Sequence, residues 1–299
     1  MRNTVLYTCL LAFSLFQTVS AQEKPTIIPF ELTAYNNLSI QAVLNGKDTL
    51  HLMLHTAVSS VTLIEECAQN ISSLHFDGAD TVKSWGGGGN ISRHSENNTL
   101  QIGPLNWEHL SIWEDKYSGI GTDGKFGLNL FNNKAVEIDF DKKVIVIHPG
   151  PPAKTKHYTK LKAEFKNDNL FVEASCNTAN QIISHRFLLH SGSSSSLLLD
   201  DQFVASNKLG AQLKLIDTKE LKDAYGHVLK VQKAILPGFI LGKTTLTNVP
   251  VGFFEGTIGR QKMSILGSDL LKRFNIIIDA TREYVYLKPN KLQKTPFAG

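Results

Sequence analysis

The sequence predicts an all-β protein built from two similar lobes, and three observations carry that prediction. Short alternating or continuous apolar runs recur along the chain with turn residues between them, as strands require. A proline-rich stretch, Pro149-Gly150-Pro151-Pro152-Ala153-Lys154-Thr155-Lys156, interrupts these runs near the middle, and prolines without amide donors do not sit inside a sheet. The two sides of that stretch then repeat one another. The 299 residues are 42% hydrophobic and 19% charged. That balance suits one or two ordered globular domains and excludes a disordered or collagen-like chain.

The elements follow in order. Residues 1–21 have the form of a secretory signal: a basic start at Arg2, a mostly apolar run from Val5 to Phe16 too short to span a bilayer, and small residues at Val19-Ser20-Ala21. A secreted or periplasmic protein without a transmembrane anchor is expected. Strands are predicted at Leu38-Ser39-Ile40-Gln41-Ala42-Val43, Leu50-His51-Leu52-Met53-Leu54, Val144-Ile145-Val146-Ile147 and Tyr284-Val285-Tyr286-Leu287. Helices are few and brief, one after Leu63, one after Asp200 and one between Leu266 and Phe274. The expected organisation is a signal at 1–21, a lobe at 22–148, a linker at 149–160, a second lobe at 161–291 and a tail at 292–299.

The repeat constrains the fold most. Leu52-Met53-Leu54-His55-Thr56-Ala57-Val58-Ser59-Ser60 matches Phe187-Leu188-Leu189-His190-Ser191-Gly192-Ser193-Ser194-Ser195 at a separation of 135 residues. Gln101-Ile102-Gly103 matches Ile240-Leu241-Gly242 at 139, and Phe126-Gly127-Leu128-Asn129-Leu130 matches Leu266-Gly267-Ser268-Asp269-Leu270 at 140. The separation stays at 140 through Ile138-Asp139 with Ile278-Asp279 and Pro149 with Pro289. Register held over this length marks a tandem of two lobes.

Each half thus carries an apolar-apolar-polar-Thr/Ser-small loop, followed by a glycine before a short helix. This resembles the bilobal aspartic peptidases of the pepsin and retropepsin type, with the secreted bacterial group as its nearest echo, over nearly all of the chain beyond the signal. The resemblance implies two pseudo-twofold-related β-barrel lobes with a few short helices and a central cleft. It also implies that Thr56, Ala57, Ser191 and Gly192 support the two loops, and that Gly127 and Gly267 lie in the element crossing behind each. The second lobe has Ile265-Leu266-Gly267 where the first has Lys125-Phe126-Gly127, with a lysine at an apolar position. The family's chemistry needs two carboxylates that share a proton. Here those positions are His55 and His190.

Three readings of the pair follow. The imidazoles fill space where acids once stood, leaving a pseudopeptidase that binds an extended peptide or protein segment in the cleft. Alternatively, the protein is a hydrolase, one neutral imidazole acting as base and its protonated partner as acid. In the third reading His55 and His190 ligate a metal such as Zn, with a flap histidine, His94 or His227, completing the set. Trp85, Gly87, His94, Tyr225 and His227 fall where this fold places hairpin flaps over the cleft, and Trp107 and Trp113 are further aromatic candidates for its lining, with core packing an equally good account of these aromatics.

Other signals resolve more simply. The glycine run Gly86 to Gly89 lacks the following Lys and Ser/Thr of a phosphate loop. Ser193 to Ser196 have no Gly-x-Ser-x-Gly elbow around them. Asp139 and Asp279 follow apolar strands and precede charged turns, so they read as hairpin punctuation. Cys67 and Cys176 do not match in the repeat and read as two thiols, and the remaining histidines, including His148, lack ligand-like spacing and read as surface or strand residues. With the signal removed, 30 basic residues face 27 acidic ones without a basic block, so no nucleic-acid partner is expected. No cofactor is expected apart from the Zn alternative, and the protein is expected to be a monomer.

Overall fold

A computed structural model describes residues 24–83, 89–117, 119–152, 155–222, 228–254 and 261–298. The expected signal, Trp85, Gly87, Tyr225 and His227 lie outside those residues. The N-terminal half runs through β1 (Thr26–Pro29), β2 (Glu31–Leu32), β3 (Leu38–Leu44), β4 (Asp48–His55), β5 (Val61–Ile64), β6 (Gly78–Lys83), β7 (Gly89–Ile102), β8 (Leu105–Asp115), β9 (Gly124–Gly127), β10 (Ala135–Asp139) and β11 (Val144–His148). The C-terminal half runs through β12 (Thr159–Lys166), β13 (Asn169–Asn177), β14 (Ile182–His190), β15 (Leu197–Leu198), β16 (Lys214–Lys222), β17 (Val228–Leu241), β18 (Thr244–Phe253), β19 (Ser264–Gly267), β20 (Phe274–Ile278) and β21 (Tyr284–Pro289). Short helices occur at Glu65–Ala68, Asp201–Ser206 and Ser268–Leu271, where the sequence places them, and also at Leu209–Gln212.

The strands close into two barrels of the same topology. In the first, β3-β4-β9-β5-β8-β7 are hydrogen-bonded in that order and a β3–β7 pairing closes the ring. In the second, β13-β14-β19-β15-β18-β17 follow the same order and β13–β17 closes it. Closure leaves no open edge within either ring. A third layer joins them: β1, β11 and β10 from the first half continue through β20, β21 and β12 from the second. The central pairing is antiparallel, with Val136 opposite Ile278 and Ile138 opposite Ile276, so a pseudo-twofold axis passes between β10 and β20.

Alternation decides which side chains enter the barrels. Ile40, Ala42 and Leu44 of β3 and Leu50, Leu52 and Leu54 of β4 are almost fully buried, while Gln41 and His51 point to solvent. In the second barrel Leu170, Val172, Ala174 and Cys176 of β13 play the same part. Asp139 accepts a hydrogen bond from the Lys142 amide, and Asp279 accepts from the Tyr284 amide. Both aspartates therefore close hairpins. Cys67 and Cys176 are free thiols. His148 is a strand residue, the last of β11, and forms a largely buried pair with Glu137 at 2.8 Å. Trp107 is half-buried, packs on Phe131 and donates to the Leu130 carbonyl, so it packs with the lobe core.

Candidate functional site

The site grows out of one strand crossing made twice. β4 runs parallel to β9, placing His55 beside Gly127, and β14 runs parallel to β19, placing His190 beside Gly267. Each glycine is required by the closeness of the loop behind it. A Cβ on Gly127 would lie 2.0 Å from the Val58 carbonyl oxygen, and one on Gly267 would lie 2.0 Å from that of Ser195. Both contacts are far inside van der Waals distance, so the backbones could not approach with any side chain present.

The two loops lock to one another through reciprocal hydrogen bonds. The Thr56 hydroxyl donates to the Leu189 carbonyl at 2.6 Å and accepts from the Ser191 amide at 3.1 Å. Symmetrically, the Ser191 hydroxyl donates to the Leu54 carbonyl at 2.7 Å and accepts from the Thr56 amide at 3.0 Å. Thr56 and Ser191 are buried, so each hydroxyl answers polar groups that water cannot reach. Covalently distant residues are thereby held in one rigid unit.

That unit brings His55 and His190 together, with ring centroids 4.5 Å apart and planes inclined at 60°. The Ala57 amide donates to His55 Nδ1 at 3.1 Å. Since Nδ1 accepts, the neutral ring carries its proton on Nε2. Nδ1 of His190 is buried without a hydrogen-bond partner among the described residues. Burial is the main reason that His55 titrates well below its usual range, with the charges of His190 and Lys125 pushing the same way. His190 is brought down to about 4, again by burial first, with Lys125 adding to it.

The supporting residues are less symmetric than the repeat implies. A Cβ on Gly192 would fall 2.4 Å from His55 Nε2, so that position must stay glycine for the ring to sit where it does. Its counterpart Ala57 packs instead against an apolar group in the C-terminal lobe formed by Phe171, Leu188, Leu198, Val231, Phe254 and Ile265. A methyl group is accommodated there. This accounts for the one conservative departure in the loops.

Lys125 is the other departure, and the structure supplies what the sequence did not. Its ammonium lies 2.7 Å from Asp115, both side chains being almost enclosed. Lys125 stands opposite Thr62 and Met53, just as Ile265 stands opposite Leu198 and Leu188. Asp115 follows Trp113, the partner of Thr62, by two residues, as Phe254 follows Gly252, the partner of Leu198. An apolar pair in one lobe thus becomes an ion pair in the other. The partners are ten residues apart on different strands, and no local pattern announces the contact.

His94 stands opposite Trp113 on β7, so it shares the sheet face of Thr62 and Lys125. Its ring lies 4.8 Å from that of Trp113, with Asp80 and Glu96 at 3.8 and 3.9 Å. It contacts those groups rather than the two central imidazoles. Among the described residues no group of three or more His, Cys, Asp and Glu is arranged to hold a metal ion.

No family model matches the sequence, and no curated protein matches it. Among solved structures, the chain is similar to the crystal structure of an aspartic proteinase from Irpex lacteus, with a TM-score of 0.64 and 13% identity, covering 92% of this chain and 100% of that one. At that identity the likeness establishes the fold. In the described residues no helix is long and apolar enough to cross a membrane.

Proposed function

We propose that this is a secreted or periplasmic aspartic-peptidase-like protein whose interlobe cleft holds an extended peptide or protein segment without cleaving it by acid chemistry. The observation that carries the reading is an intact four-hydrogen-bond lock around a pair that has no carboxylate. A fold that keeps its cleft framework keeps what peptide binding draws on, namely backbone hydrogen bonds and side-chain pockets.

The chemistry of the pair argues against hydrolysis. Water activation by two carboxylates depends on one ionised and one protonated member at the same pH. Both imidazoles here are held neutral down to acidic pH, His190 to about 4. A base that weak takes little of the proton from water, and its acid form is scarce at neutrality. His55 has its Nδ1 occupied by the Ala57 amide, a hydrogen-bond donor in the place where an anion would stabilise an imidazolium.

The test is incubation of the mature protein with unfolded casein and with a peptide library across pH 3 to 8. Saturable binding without turnover is expected. Cleavage abolished by His55→Ala or His190→Ala would replace this reading with a hydrolase, and absence of binding at every pH would remove it.

A further inference from the structure

The last described residues, 292–298, are bound down by one buried side chain. Arg273 is fully enclosed, and its guanidinium donates to the carbonyls of Leu292, Gln293, Thr295 and Pro296 at 3.3, 3.1, 2.6 and 3.2 Å. The guanidinium carbon also lies 3.6 Å from the centre of the Phe297 ring. A guanidinium taken out of water needs acceptors for its N–H groups, and the backbone of this segment supplies them. Lys294, Pro296 and Ala298 are exposed, while Gln293, Thr295 and Phe297 between them are half-buried. The segment is therefore a surface strap held from below.

The strap reaches the loop of His190 through Asp269, a buried residue two positions past Gly267. Asp269 Oδ2 accepts from the Ala298 amide at 3.1 Å and from the Ser196 hydroxyl at 2.6 Å, and Oδ1 faces the Lys272 ammonium at 2.7 Å. Arg273 Nε donates to the Asp269 carbonyl at 3.0 Å. From there the bonds run to the dyad loop. The Gly267 amide donates to the Ser196 carbonyl at 3.0 Å, the Ser268 amide to the Ser193 carbonyl at 2.7 Å, and the Ser193 amide to the His190 carbonyl at 3.1 Å. The first lobe differs: Asn129 stands where the repeat puts Asp269, and its Oδ1 is buried without a hydrogen-bond partner among the described residues.

We propose that residues 292–298 are a latch on one half of the site. Seated, they fix Asp269 and with it the loop that carries His190. Lifted, they let water reach Asp269 and Arg273 and compete for the bond from Ser196, which frees that loop while the loop of His55 stays in place. The asymmetry between Asp269 and Asn129 confines the latch to the second lobe, whatever the cleft holds.

Deleting residues 292–299 together with Arg273→Leu removes the strap and the guanidinium that depends on it. Amide hydrogen exchange followed by NMR should quicken about tenfold at Gly267 and Ser268, as the loss of one buried hydrogen bond implies, and the His190 ring signals should move. The Ala57 amide, which reports on His55, and the amides of β3 and β4 should keep their parent rates. Arg273→Lys in the full chain keeps the charge but loses the fork that spans several carbonyls. It should quicken the same two amides to a smaller extent, and it decides the matter where the deleted chain does not fold. Unchanged exchange at Gly267 and Ser268 in either folded variant would overturn the proposal. So would an equal quickening throughout both barrels, which would show a strap that adds only general stability.

Discussion

Substituting Thr56 by Val tests whether the two lobes share one locked centre. Valine keeps the shape and removes the hydroxyl, leaving the Leu189 carbonyl and the Ser191 amide without their partner. Thr56 is 3% exposed and Ser191 2%, so water has no ready route to either orphaned group. At about 1–3 kcal/mol for each unsatisfied buried group, the expected cost is about 2–6 kcal/mol. The pseudo-twofold axis makes a second demand. Ser191→Ala orphans the Leu54 carbonyl and the Thr56 amide, the same two kinds of group, and should cost the same within about 1 kcal/mol. Thr56→Ser retains the hydroxyl and should fall within about 1 kcal/mol of the parent. Urea unfolding followed by fluorescence and circular dichroism reads all three. A loss below about 1 kcal/mol for Thr56→Val, or strongly unequal losses for the two hydroxyl deletions, would show that the loops are held by something other than this network.

Three further outcomes follow from the same geometry. His190 titrates at about 4 in the folded protein against 6.5 for the free side chain, so folding favours its neutral form. The associated stability is complete above pH 6.5 and is lost as the pH falls toward 4, roughly 3 kcal/mol in all, with His55 adding in the same direction. Denaturation at pH 7 and pH 4.5 should show this loss, and His190→Gln should reduce it; a flat profile would contradict the burial argument. Gly192→Ala places a methyl 2.2 Å from His55 Cδ2 and should cost about 1–3 kcal/mol while displacing the His55 ring signals, whereas Ala57→Gly should leave those signals in place. Lys125→Met alone removes the ammonium from the enclosed Asp115 carboxylate and should cost about 3–5 kcal/mol, while the Lys125→Met, Asp115→Leu pair should recover most of it. Calorimetric melting distinguishes the two, and equal losses would mean the ion pair is not the enclosed unit described.

Much of this protein is legible without coordinates because its two halves obey the same local rules. The alternation in Leu38 to Leu44 and Leu50 to Leu54 follows from a strand with one face in a barrel, and the strands there bury those positions. The matched loops ending in His55 and His190, and the glycines 127 and 267, could be aligned by eye because a backbone approach of this closeness admits no substitute. The resemblance sets the two histidines at the family's paired positions, and their ring centroids lie 4.5 Å apart.

Tertiary structure decided what pairs residues of unrelated position. The Lys125–Asp115 contact joins β9 and β8 across the intervening β5, so the lysine reads from sequence as a flaw in an apolar triplet. The protonation of His55 depends on where the Ala57 amide points, and the low titration of His190 depends on the desolvation of its ring at the centre of the fold. The Thr56 and Ser191 hydroxyls are ordinary residues until their acceptors arrive from the opposite half of the chain. Periodicity records which side of its own strand a residue occupies. Desolvation and long-range pairing are properties of the assembled interior, and the chemistry of this site belongs to them.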